Sequence, residues 1–149
     1  MTRGSTTEKS QGFVIRDCLA GALIAFGVVL LIFQTLSAYY TRGMRFAEYA
    51  DAFRTLFFGA HTVGGALGGY LVGRRAENPV QAGVITGVFA YIFEYICYFL
   101  FEGTFASSFW VLLGFIGGGI FGGMFANIQR ARKRLASRIA KKEDEKTGE

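Results

Sequence analysis

At 149 residues the chain has room for one small domain, and a single histidine, two cysteines and one proline leave little chemistry to build on. A formal net charge of +5 with 52% apolar residues would suit a soluble fold, but the distribution excludes one. The basic residues fall almost wholly outside four apolar segments at 18–40, 55–73, 79–101 and 107–128. A helix of about 20 apolar residues crosses the hydrocarbon of a bilayer, so the fold class expected is an all-α polytopic membrane protein, a four-transmembrane-helix bundle.

Residues 1–11 are polar and rich in Ser and Thr, which predicts a disordered arm ahead of a transmembrane domain over 12–128. The first apolar run is too long for the core of a cleaved signal peptide and reads as an anchored span. It carries Cys18 near one end and Gln34 near the other. Between 41 and 54, Phe46, Tyr49 and Phe53 alternate with Arg45, Glu48 and Asp51. That pattern predicts a short surface helix or an extension of the second span.

The second span carries His61 and a line of glycines at Gly65, Gly69 and Gly73, with Gly64 and Gly68 beside them. A short link, Arg74 to Asn78, predicts an antiparallel hairpin with the third span, which Asn78-Pro79 opens as N-cap and first helical residue. The third span has Gly83 and Gly87, then Glu94 within a run of Tyr91, Tyr95 and Tyr98. The fourth has Gly114, Gly118 and Gly122, flanked by Gly117, Gly119 and Gly123. Lipid offers no hydrophobic drive between helices, so close approach through small residues must supply the contact. Glycines on two neighbouring faces predict glycine-zipper packing inside the bundle and a homo-oligomer or another membrane-protein partner outside it.

The chain closes on a basic cytoplasmic tail over 129–149, where Arg130, Arg132, Lys133, Arg134 and Arg138 surround Leu135 and Ile139. A basic amphipathic helix beside a span is expected to lie against anionic lipid head groups. Nothing accompanies the charge to make it a nucleic-acid reader. With four crossings, the N-terminus, the 74–78 link and the tail share one side and hold 13 of the 16 Lys and Arg residues, so both termini are expected in the cytoplasm. Tyr39, Tyr40, Phe101, Phe105 and Trp110 would form an aromatic belt at the other interface.

Polar groups at depth come closest to function. Counted from the outer ends of their segments, Gln34, His61 and Glu94 each lie ~10 Å inside the boundary, so the three share a layer. His61 shares a face with Gly65 and Gly69. Glu94, Tyr91, Tyr95 and Tyr98 share one with Gly83 and Gly87. Two readings follow. In one, Glu94 and His61, with the tyrosines, line a path for protons, cations or a small solute, as in a channel or transporter. In the other, Gln34, His61 and Glu94 satisfy one another and fix helix register in an accessory subunit of a membrane complex. A lone carboxylate–histidine pair does not define a reaction, so no enzyme is expected. No metal site or cofactor is expected either, because one histidine and two distant cysteines make no ligand set. The glycine run at 117–123 lacks the Lys-Ser/Thr of a phosphate loop.

Overall fold

The computed structural model describes residues 5–40, 50–102 and 109–147, with side chains at 15–38, 55–101 and 109–139. All of the regular structure in them is helical: α1 (Ser5–Tyr40), α2 (Ala50–Gly73), α3 (Pro79–Glu102) and α4 (Phe109–Thr147). Three stretches are long and apolar enough to cross a membrane, Ile15–Ala38 in α1, Pro79–Phe101 in α3 and Phe109–Ile139 in α4. Between Thr55 and Gly73, α2 has no charged residue, but six glycines and His61 dilute its apolar character.

α1 is described from Ser5, so residues 5–11 lie within a helix. α4 continues without a break through the tail to Thr147, so its acidic end is helical too. The proposed surface helix at 41–49 lies outside the described residues, although α2 does extend back to Ala50. Of the aromatic belt, Phe101 and Trp110 are exposed, while Tyr39, Tyr40 and Phe105 have no described side chains.

Glycine contacts fix the helix directions. Gly64 and Gly68 of α2 meet Ala25 and Gly21 of α1, so these helices run antiparallel. Gly65, Gly69 and Gly73 meet Phe115, Gly119 and Gly123 of α4, a parallel arrangement. Gly87 and Gly83 of α3 meet Phe115 and Gly119, antiparallel again. Among the described residues the backbones of α1 and α4 stay apart, and α2 and α3 form the short diagonal between them.

Along its length the bundle has two halves. Near the 74–78 link, small residues let backbones meet. A Cβ on Gly69 would lie 2.7 Å from the Gly119 carbonyl oxygen, and one on Gly68 2.5 Å from that of Gly21. Gly83 and Gly119 exclude side chains reciprocally, each facing the other's carbonyl. Cys18, Val72, Ala76 and Ala82 close this end, with the Cys18 thiol 3.7 Å from the Ala82 carbonyl. Toward the opposite end, Val29, Phe33, Phe57, Tyr91, Phe93, Val111 and Phe115 fill the space instead. Thr35, Thr62 and Thr86 return their hydroxyls to the carbonyl four residues earlier, which satisfies them without water.

The glycines expected to serve a second subunit are used within the chain. Gly64 and Gly68 pack on α1 while Gly65 and Gly69 pack on α4; Gly118 and Gly122 pack on α2 while Gly119 and Gly123 pack on α3. Only Gly27, Gly59 and Gly117, of those with described surroundings, would receive a Cβ without contact. Neighbouring glycine faces therefore meet two helices of one bundle.

Candidate functional site

The polar pair forms in the aromatic half. His61 is fully buried and its Nε2 lies 3.0 Å from both carboxylate oxygens of Glu94, across the α2–α3 contact. Its Nδ1 is 2.6 Å from the Phe57 carbonyl, one turn earlier on α2. A carbonyl only accepts, so Nδ1 carries a proton and the tautomer is fixed by its partner. Nε2 faces both Glu94 oxygens, and it can donate to a carboxylate or accept from a carboxyl O–H, so the geometry lets a proton pass between the two groups.

Three phenyl rings from three helices enclose the imidazole. Phe57 is 4.5 Å away, Phe115 meets it edge-on at 5.0 Å, and Phe33 of α1 is 5.7 Å away, all between ring centroids. The backbone permits this because Gly114 faces the His61 Cβ, where a side chain of its own would lie 2.8 Å away. Glu94 is the outward member, with 17% of its side chain exposed against none for His61. Glu94 is thus the accessible member of the pair. Every buried side-chain polar atom among the described residues has a partner.

The remaining residues of the expected layer separate. Gln34 is exposed on α1 and does not reach the pair; the α1 residue facing His61 is Phe33, one position earlier. One residue along a helix is 100° of rotation, so a shared depth does not give a shared face. Tyr91 packs on the aromatic core and its ring lies 6.3 Å from that of Tyr95, which is half-buried. Tyr98 is exposed. The tyrosine stripe therefore runs from the core to the surface past Glu94. Among the described residues no three His, Cys, Asp or Glu gather as metal ligands would.

At the glycine end, Arg130 behaves unlike its neighbours in the tail. Its guanidinium donates to the carbonyls of Gly73, Arg74 and Ala76 at 2.9, 3.1 and 2.9 Å, capping the C-terminus of α2. Tyr70 adds a hydroxyl bond of 2.7 Å to Gln129. Arg132, Lys133, Arg134 and Arg138 stand exposed on the projecting helix. Arg130, from the same basic run, ties α4 to the 74–78 link. Comparison with family models, with curated proteins and with solved structures finds no match.

Proposed function

We propose that the protein is a four-span membrane channel or transporter in which the His61–Glu94 pair is a proton-binding site. The observation that carries this reading is the 3.0 Å contact between a fully buried imidazole, held at Nδ1 by the Phe57 carbonyl, and a partly exposed carboxyl. Ionisable groups at this depth are expensive, and a pair arranged to gain or lose a proton through one exposed partner suits proton passage or coupling. A carboxyl and an imidazole offer too few oxygens for a hard cation such as Ca2+, which takes six or more. The proton is therefore favoured over other cations, and a small solute coupled to it is the natural cargo. The reading is non-enzymatic.

Four crossings are supported by α2 itself. It lies alongside α1, α3 and α4, antiparallel to its sequence neighbours, and presents Leu56, Phe58, Val63, Leu67 and Leu71 outward. Its glycines lower its hydropathy but sit against other helices, where lipid does not meet them. Glycine-zipper packing, cytoplasmic termini and a tail held at anionic head groups complete the proposal. Proton flux in proteoliposomes, wild type against Glu94→Gln, tests it.

A second reading, an accessory subunit of a membrane complex, is favoured by the Phe115 ring, which stands against the imidazole on the glycine side. On that reading the pair only holds α2 to α3. Glu94→Gln would then lower stability and no flux would be found.

A further inference from the structure

A second polar feature lies at the other end of the bundle and has no part in the proton site. Between α1 and α2 a half-open cavity of about 350 Å³ is bounded by Asp17, Ile24, Leu71, Val72, Arg74 and Arg75. Its two kinds of wall are segregated. Arg74 and Arg75 stand at the end of α2, where the apolar helix gives way to the link. Ile24 and Leu71 stand below them, both exposed, on the surfaces that α1 and α2 turn outward.

We infer that this cavity binds one anionic phospholipid, with the phosphate between Arg74 and Arg75 and the start of an acyl chain along Ile24 and Leu71. Two arginines face a single aspartate here, and among the described residues no ion pair neutralises either of them. Guanidinium is the group best matched to phosphate oxygens, through paired N–H donors. Basic pockets between spans at the cytoplasmic interface are where anionic head groups lodge. The site is also built in advance. Arg130 holds the carbonyls of Gly73, Arg74 and Ala76, which fixes the backbone bearing both arginines. The Tyr70 ring lies 5.7 Å beneath the Arg74 guanidinium. Asp17 at the opposite edge disfavours a second phosphate and leaves room for a head group carrying hydroxyls or an amine.

An apolar wall continuous with the lipid-facing surface selects a lipid over a soluble phosphate. The proposal is independent of whether His61 and Glu94 carry protons, because no residue is shared.

The test uses the full chain in nanodiscs of mixed phosphatidylglycerol and phosphatidylcholine, followed by detergent extraction and native mass spectrometry of retained lipid. Wild type is expected to keep a phosphatidylglycerol molecule per chain. Arg74→Gln with Arg75→Gln should reduce retention on the order of tenfold, and Ile24→Trp, which fills the cavity from an exposed position, should reduce it with both arginines intact. Neutralising Arg132, Lys133, Arg134 and Arg138 should leave it unchanged, and millimolar inorganic phosphate should not displace it. Equal retention in the arginine variant, loss in the tail variant alone, or displacement by inorganic phosphate would overturn the assignment.

Discussion

The Phe115 ring stands edge-on to the His61 imidazole, 5.0 Å between centroids, with the backbones of Gly65 and Gly87 pressed against Phe115 from either side. One residue of α4 thus closes the polar pair off from the glycine half of the bundle. A proton that reaches Glu94 from the exposed side would have to pass this ring to cross. Phe115→Ala should therefore raise proton flux severalfold if the pair conducts, at a stability cost of about 3 kcal/mol for a large core truncation. Flux measured beside a detergent unfolding midpoint separates the two effects.

The pair itself makes a coupled prediction. His61→Phe places a fourth phenyl ring in the cage and leaves the Glu94 carboxyl without its partner, costing about 1–3 kcal/mol. Adding Glu94→Leu should recover much of that loss, because an apolar pair in place of a buried polar one is often neutral. A double-mutant cycle read by unfolding in detergent checks the sign: the double variant should be more stable than His61→Phe alone.

Backbone contact sets the tolerance of each glycine. Gly119→Ala should destabilise by about 1–3 kcal/mol, since its Cβ would meet the Gly83 carbonyl and backbone cannot step aside. Gly117→Ala, two positions earlier and facing open space, should stay within about 0.5 kcal/mol of wild type. Thermal unfolding of the two variants makes the comparison.

Arg130→Gln should loosen the end of α2 while leaving the aromatic half intact. Three carbonyls lose a charged donor, for about 1–2 kcal/mol. Hydrogen exchange should quicken at Val72 to Asn78 and remain slow near His61. Uniform quickening along the chain would mean that the contact is not local.

The apolar segments and the hairpin of α2 and α3 were legible in the sequence, whereas depth alone left open whether His61 and Glu94 face each other. Both polar residues share a helical face with glycines, and glycines mark the face that another helix approaches. Gln34 shows the limit of counting depth: depth carries no azimuth, and nothing in an apolar run marks Phe33 as the residue that meets His61. Phe57 and Phe115 carry no signal for the same reason, since phenylalanine is ordinary on both the lipid side and the core side of a span. Sequence gives the number of small faces but not how many helices surround each. In a bundle whose α2–α3 diagonal is short, α2 has three neighbours, and both of its glycine faces are occupied by α1 and α4. Arg130 looked like the rest of its basic run; only the position of the α2 C-terminus distinguishes it.

The most direct measurement is proton flux in proteoliposomes, wild type against Glu94→Gln, at matched reconstitution and with folding checked by circular dichroism. Glutamine keeps the size of the side chain and a hydrogen bond to Nε2 but cannot exchange a proton. A proton-binding site predicts measurable flux in wild type that falls to the liposome background in a folded Glu94→Gln. Equal flux in the two proteins, or none in wild type, would contradict it.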